Sequence, residues 1–158
     1  MTTAIAFYDV AVALHVMAIL VAFGAVFAYP VLTGFVLRTN PQSAPALYGA
    51  IRLLDQRVVS PMAVVALALG AYLATDADVW SKVWVTVPLI ILVIVMGLIG
   101  AVFSPSLKRL SHLAARDLTA GGTLSADTMA EVRRLNAGWT AAAVLVLVAV
   151  FFMVAKPG

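Results

Sequence analysis

The sequence predicts an all-α polytopic membrane protein, an antiparallel four-transmembrane-helix bundle with helical cytoplasmic extensions. Hydrophobic residues make up 64% of the 158 positions and charged residues 11%, whereas soluble domains have roughly 25% charged residues. Four apolar segments are each long enough to cross a hydrocarbon core of roughly 30 Å. They lie near residues 10–37, 58–75, 83–104 and 137–155. We therefore expect a single membrane domain over residues 1–158, and no internal repeat is evident.

The first span follows the stretch MTTAIAFYD, which lacks the basic region that begins a secretory signal. The apolar run after it is also longer than the hydrophobic core of a signal sequence. We therefore expect the first span to be retained.

The basic residues between the spans predict the orientation of the chain. Eight of them fall on one side of the predicted bundle, and two, Lys82 and Lys156, fall on the other. By the positive-inside rule the eight-residue side is cytoplasmic, so both termini face out. The eight are Arg38, Arg52, Arg57, Lys108, Arg109, Arg116, Arg133 and Arg134. We attribute the net charge of +3 to basic residues beside the spans, where anionic lipid headgroups attract them. We therefore expect no nucleic-acid binding.

The cytoplasmic segment 38–57 has the pattern of a helix that extends the second span. Ser43 is a candidate N-cap. Apolar residues follow at spacings of three and four, the helical period. Arg52 and Asp55 fall on the opposite side, so we expect both to face water. The apolar face consists of Leu47, Ile51, Leu54 and Val58.

The second cytoplasmic segment, 105–136, predicts two helices with basic polar faces. Gly121–Gly122 ends the first helix. Ser125 is placed to begin the last helix, which continues into the fourth span. Two roles stay open for this segment: it rests on lipid headgroups, or it docks a cytoplasmic protein partner.

The first span contains an ionisable residue, His15, at the outer end of a stripe of small residues. Ionisable groups inside spans are rare and usually point into the bundle. Three roles are open for His15: a hydrogen bond to the backbone or a hydroxyl of a neighbouring helix, a ligand to haem iron, or a proton or ion relay. The stripe continues through Ala18, Ala22, Ala25 and Tyr29.

Tyr29 and Pro30 are further candidate site residues near the inner end of the first span. Proline cannot donate a backbone hydrogen bond, so Pro30 is expected to kink the helix and to free the carbonyl of Val26. His15 is about 20 Å away along a helix that rises roughly 1.5 Å per residue. Tyr29 and Pro30 therefore should not share a compact site with His15.

The spans hold too few polar groups for hydrolytic chemistry. The chain has no cysteine and two histidines, and its spans contain no pair of carboxylates. We therefore expect no standard zinc site and no nucleophile with its base, and we do not predict an enzyme. A b-type haem needs only one or two axial ligands in an apolar pocket. Met153 should lie near the level of His15, so His15 with Met153, or His15 alone, is the predicted haem-binding set.

Three stretches, LHVMAILVAFGAVFAYPVL, LLDQRVVSPMAVVALALGAYLA and GLIGAVFSPSLKRL, resemble an uncharacterised family of bacterial four-span integral membrane proteins. This resemblance implies the bacterial cytoplasmic membrane. Leu14, His15 and Gly24 are more remotely similar to the first spans of copper-resistance D-like proteins and of the four-span, haem-binding protoporphyrinogen oxidase. That likeness implies a haem or metal role for His15. It does not extend to a basic residue inside a later span or to further histidines, both of which belong to the oxidase pattern.

Three functions follow as hypotheses. The first is a haem-binding or redox-related membrane protein that uses His15. The second is a transporter or channel for ions or small solutes, working as a homo-oligomer, because a single four-span bundle with few internal polar groups encloses little water. The third is a membrane scaffold or accessory subunit whose cytoplasmic helices recruit a partner.

Overall fold

The chain folds almost entirely into helices. Its structure, a computed structural model, describes residues 7–157, so the stretch 1–6, on which the signal-sequence expectation partly rests, lies outside the described residues. In chain order the helices are α1 (Phe7–Thr39), α2 (Ala44–Leu54), α3 (Ser60–Asp76), α4 (Val83–Leu98), α5 (Ser104–Gly121) and α6 (Ala126–Ala155). A 3₁₀ turn, Pro41–Ser43, precedes α2.

Two π-helical segments join these helices into longer ones. The first π-bulge, Asp55–Val59, connects α2 to α3, and the second π-bulge, Ile99–Phe103, connects α4 to α5. Four helices are consequently long and apolar enough to cross a membrane: Phe7–Thr39, Pro41–Asp76, Val83–Gly121 and Ala126–Ala155. Residues 7–157 contain no β-strand. The predicted all-α four-helix membrane bundle is therefore confirmed.

The long helices exceed the thickness of a bilayer. The 39 residues of Val83–Gly121 span about 58 Å at roughly 1.5 Å per residue, against a hydrocarbon core of roughly 30 Å. The helical length in excess of the hydrocarbon core lies at one end of the bundle. This end, which we call the extended end, consists of α2, α5 and the first turns of α6. The opposite end holds the connection 77–82 and is called the short end.

Each π-bulge is followed directly by a Ser-Pro step, Ser60–Pro61 or Ser104–Pro105. Proline has no backbone N–H, and its ring crowds the carbonyl four residues earlier. A wider turn just before the proline relieves that crowding, which explains why the bulges lie where they do. The Gln56 side-chain nitrogen donates to Ser104 Oγ at 3.4 Å, so the two bulges are side by side. No repeat was evident in the sequence, yet the structure has this local one.

The bulges change which helices pack together. Towards the short end, α1 packs mainly on α3, and α4 packs mainly on α6. Beyond the bulges, α2 packs mainly on α5. In the short-end half, α3 and α4 make only limited contact. The second and third long helices therefore separate towards the short end.

Two expectations about the segment 38–57 are wrong. Asp55, expected to face water, is fully buried at 0% exposure, and the Ser43 side chain makes no capping hydrogen bond. The buried positions here are Ala44, Tyr48, Ile51, Asp55 and Val59, a face rotated by about one residue from the predicted one. The buried positions from Ala44 to Asp55 keep the regular helical spacing of four and three, so the packing of α2 on α5 and α1, rather than apolar character alone, selects this face.

The predicted helix boundaries after α5 are confirmed. Gly122 ends α5 in the left-handed region, at φ 71°, where a residue without a side chain is favoured. Ser125 caps α6, because its hydroxyl accepts a hydrogen bond from the Thr128 backbone N–H at 3.3 Å.

Candidate functional site

His15 contacts the backbone of a neighbouring helix. Its Nδ1 lies 2.8 Å from the carbonyl oxygen of Ala66 on α3. Because a carbonyl can only accept, Nδ1 carries the proton and donates it. In a neutral imidazole this leaves Nε2 with its lone pair, and Nε2 has no hydrogen-bond partner among residues 7–157.

Gly70 makes room for this imidazole. A methyl group at Gly70 would lie 2.9 Å from His15 Cε1, closer than carbon atoms pack. Ala66 and Gly70 are one turn apart on α3, so the same helix face supplies the acceptor and the space. Local sequence patterns could not connect Gly70 with His15, because their contact joins α3 to α1.

His15 also lines two apolar cavities. The larger, of about 250 Å³, lies between α1, α3 and α4 in the short-end half, with the end of α6 closing one side. The smaller, of about 40 Å³, lies deeper, towards Val95 and Val146. Met153 lines both cavities together with His15. The two residues named as a haem-binding set thus border a common space, although their role stays a prediction.

Aromatic and basic side chains form the rim of the larger cavity at the short end. Trp80, Trp84 and Lys156 all line it. The Trp80 indole N–H donates to Thr75 Oγ1 at 3.1 Å, and Lys156 Nζ lies 5.0 Å from the centre of the Trp84 ring, a cation–π contact. Lys82, the other basic residue on this side, does not line the cavity.

Tyr29 belongs to a separate polar cluster at the level of the bulges. Its hydroxyl donates to Asp55 Oδ1 at 2.9 Å, and its ring packs edge-on against Trp139 with 4.7 Å between ring centres. Trp139 in turn packs against Phe103 at 4.3 Å. Each of the four long helices contributes one of these side chains. Pro30, next in sequence, is half-buried inside α1.

Sequence reasoning missed Asp55 as the partner of Tyr29. Because Asp55 is polar, it was expected to face water. Tyr48, Ile51 and Asp55 nevertheless follow at helical spacings that fit a buried face equally well. The pairing with Tyr29, 26 positions earlier, depends on how α1 and the first bulge pack, which no local pattern encodes.

No family model matches the chain, and neither the curated proteins nor the solved structures searched include a similar one. Within residues 7–157 no three His, Asp or Glu side chains converge as metal ligands would. A functional role is therefore inferred from the geometry around His15 and around Asp55.

Proposed function

We propose that this chain is an integral membrane protein that binds b-type haem, with His15 as the axial ligand. The observation that carries the proposal is the hydrogen bond from His15 Nδ1 to the Ala66 carbonyl. Metal-ligating histidines commonly donate their second ring N–H to a carbonyl or carboxylate, which fixes the tautomer and the ring orientation. The same bond also suits a histidine that only packs, and the cavity beside the ring is the further observation that favours the haem role.

The residues around the cavity suit a flat apolar ligand. Apart from His15 the walls are largely aliphatic, and Met153 offers a thioether, a known second axial ligand. The volume of about 250 Å³ is slightly below the roughly 300–1,000 Å³ of ordinary ligand pockets. Several lining side chains, among them Tyr8, Val12 and Trp80, are exposed. The cavity is therefore open at the bundle surface, and a larger ligand need not lie wholly inside it.

The rim suits the acidic edge of such a ligand. Lys156 offers a positive charge and the exposed Trp80 an aromatic surface at the mouth of the cavity. Haem, when bound, supplies one-electron redox chemistry. The chain's own part is to orient Nε2 of His15, to exclude water with aliphatic walls and to hold the carboxylate edge near Lys156.

We further propose that the protein lies in the bacterial cytoplasmic membrane with its extended end facing the cytoplasm. The exposed basic residues at that end, including Lys108, Arg109, Arg133 and Arg134, support this orientation by the positive-inside rule.

The haem proposal is tested on purified full-length protein supplied with haem b. We expect a Soret absorption band that His15→Ala abolishes. His112→Ala is the matched control, because His112 is the other histidine of the chain and is exposed on α5. A wild-type preparation that takes up no haem, or a band that survives His15→Ala, contradicts the proposal.

A pair of glycine variants tests whether the fit around the imidazole matters. Gly70→Ala places a methyl group against His15 Cε1, so we expect weaker haem uptake at an unchanged helix content. Gly97→Ala, whose methyl group would meet nothing within 4 Å, should bind haem as the wild type does. Equal uptake by both variants would mean that the His15 ring position is irrelevant to binding.

A further inference from the structure

Asp55 is a buried carboxyl group that the proposed haem site does not use. It is the first residue of the first π-bulge and has 0% exposure. Its Oδ1 accepts from the Tyr29 hydroxyl, whereas its Oδ2 is buried without a hydrogen-bond partner in the described part of the chain. The site is about 20 Å from His15, counted along α1 at roughly 1.5 Å per residue.

Within residues 7–157, Asp55 forms no ion pair. The ion pairs found in residues 7–157 belong to Asp117 and Glu131. The elements that pack mainly on the first bulge are α1, α2 and α3, and the second bulge and the start of α5 lie beside it without adding a titratable side chain between Ile99 and Ser106. Their nearby titratable groups are Tyr29, Tyr48 and Arg52, and the bulge itself adds only the exposed Arg57. A buried carboxylate without an ion pair is costly, so a proton on Oδ2 would remove the charge.

Three further buried side-chain polar atoms have no hydrogen-bond partner among residues 7–157: Tyr48 OH, Arg52 Nε and Asn136 Oδ1. Tyr48, Arg52 and Asp55 follow one another at spacings of four and three, so they share one face of the second long helix. Asn136 lies one turn before Trp139, the residue against which Tyr29 packs. The four unpartnered atoms are therefore concentrated on the side of the bulge that faces the extended end.

The chemistry of these atoms selects water as their partner. Arg52 Nε can only donate, Asn136 Oδ1 accepts, and Tyr48 can do both, whereas Asp55 Oδ2 donates when protonated and accepts when ionised. Water both donates and accepts, and buried waters typically make about three hydrogen bonds to such groups. A metal cation is disfavoured, because no three His, Asp or Glu side chains converge as metal ligands within residues 7–157.

We propose that Asp55 binds a proton and that internal water held by Tyr48 and Arg52 carries this proton to and from the extended end. On release, the O–H bond at Oδ2 breaks, its electron pair stays on the carboxylate, and the water oxygen takes the proton as hydronium. The Tyr29 hydroxyl, which donates to Oδ1, stabilises the carboxylate left behind. Solvent at the extended end then accepts the proton from the hydronium.

The test is infrared spectroscopy on the full-length protein in liposomes at neutral pH. We expect a carboxylic acid C=O band that shifts to lower frequency after transfer to D₂O, because the proton exchanges with water. Asp55→Asn should remove the band. Asp127→Asn, which changes an exposed carboxylate in the first turn of α6, should leave it unchanged.

Tyr29→Phe keeps the proposal falsifiable if Asp55→Asn does not fold. Loss of the hydrogen bond to Oδ1 should raise the C=O frequency without removing the band. The proposal is overturned if no such band exists, if it survives Asp55→Asn, if it does not respond to Tyr29→Phe, or if it fails to shift in D₂O. Loss of the band on adding NaCl at constant pH would indicate a metal-cation site instead and would equally overturn it.

Discussion

Gly138 lies on α6 directly under the ring of Phe103. A methyl group at Gly138 would lie 2.7 Å from Phe103 Cε1, so the ring would have to move. Phe103 also packs against Trp139, which packs against Tyr29. A shift at this position is therefore passed on to Trp139 and Tyr29, and through the Tyr29 hydroxyl to Asp55, so that all four long helices are affected.

We expect Gly138→Ala to destabilise the bundle by about 1–3 kcal/mol, the usual cost of adding a methyl group to a filled core. Thermal unfolding in detergent measures it as a lower Tm. Gly100→Ala, where a methyl group would meet nothing within 4 Å, is the control and should keep the wild-type Tm. Equal Tm values for both variants would show that the Phe103 ring is free to move.

Single residues differed in how well the sequence predicted them. A lone histidine in an apolar run is conspicuous, so His15 could be identified from the sequence. Met153 was predicted only from its expected depth in the membrane, and it lines the same cavities as His15. Asp55 could not be recognised, because a carboxylate beside a predicted span is normally solvated. Its burial depends on a hydroxyl from α1, a tertiary contact.

Among the elements, the turn between α5 and α6 is held by Asp117. Its Oδ2 accepts from the Ser125 backbone N–H at 2.9 Å and from the Thr128 hydroxyl at 2.6 Å. Arg116 pairs with its Oδ1 at 2.9 Å. One carboxylate therefore connects the end of α5 to the N-terminal cap of α6.

We expect Asp117→Ala to open this turn, because it removes the acceptor for two groups at the start of α6. Amide hydrogen exchange over residues 123–130 should become faster. Asp127→Ala removes a carboxylate from the same turn that lies exposed, and its exchange should stay close to the wild type. Matching exchange in the two variants would contradict a fastening role for Asp117.

The π-bulges were not predicted from the sequence. The pattern that indicates them, a run of buried positions, is recognisable only once the burial of each residue is known. Buried residues run Ile51, Asp55, Val59 and Ala63 in one helix, always four apart. In the next helix they run Val95, Ile99, Phe103 and Leu107, again four apart. Spacings of three and four should alternate in a regular α-helix. A run of fours therefore indicates a locally longer period than the 3.6 residues per turn of a regular α-helix.

At the scale of the whole molecule, hydropathy predicted the four membrane-crossing helices well. A bilayer leaves a chain this apolar few alternatives to spanning helices, because backbone polar groups must be paired within the element. The exchange of packing partners at the bulges, which separates α3 from α4 and leaves room for the cavity, could not be predicted. It results from side-chain packing between residues far apart in sequence.

Absence of cysteine from the chain makes its orientation directly testable. Ser81 at the short end and Thr123 at the extended end are both exposed. With single cysteines introduced there, we expect a membrane-impermeant maleimide to label Ser81→Cys in intact cells. Thr123→Cys should react only after permeabilisation, since the basic extended end is proposed to be cytoplasmic. The reverse pattern would contradict the proposed orientation.

Each π-bulge amounts to one residue inserted into an otherwise regular helix, and one residue turns a helix by about 100°. Deleting a residue from Asp55–Val59 or Ile99–Phe103 would therefore rotate α2 or α5 relative to the rest of its long helix. The buried face of that helix would then no longer meet the other one, although no loop is changed. Homologous chains should consequently vary in length within their exposed connections, while the residue count between the two ends of each long helix stays invariant.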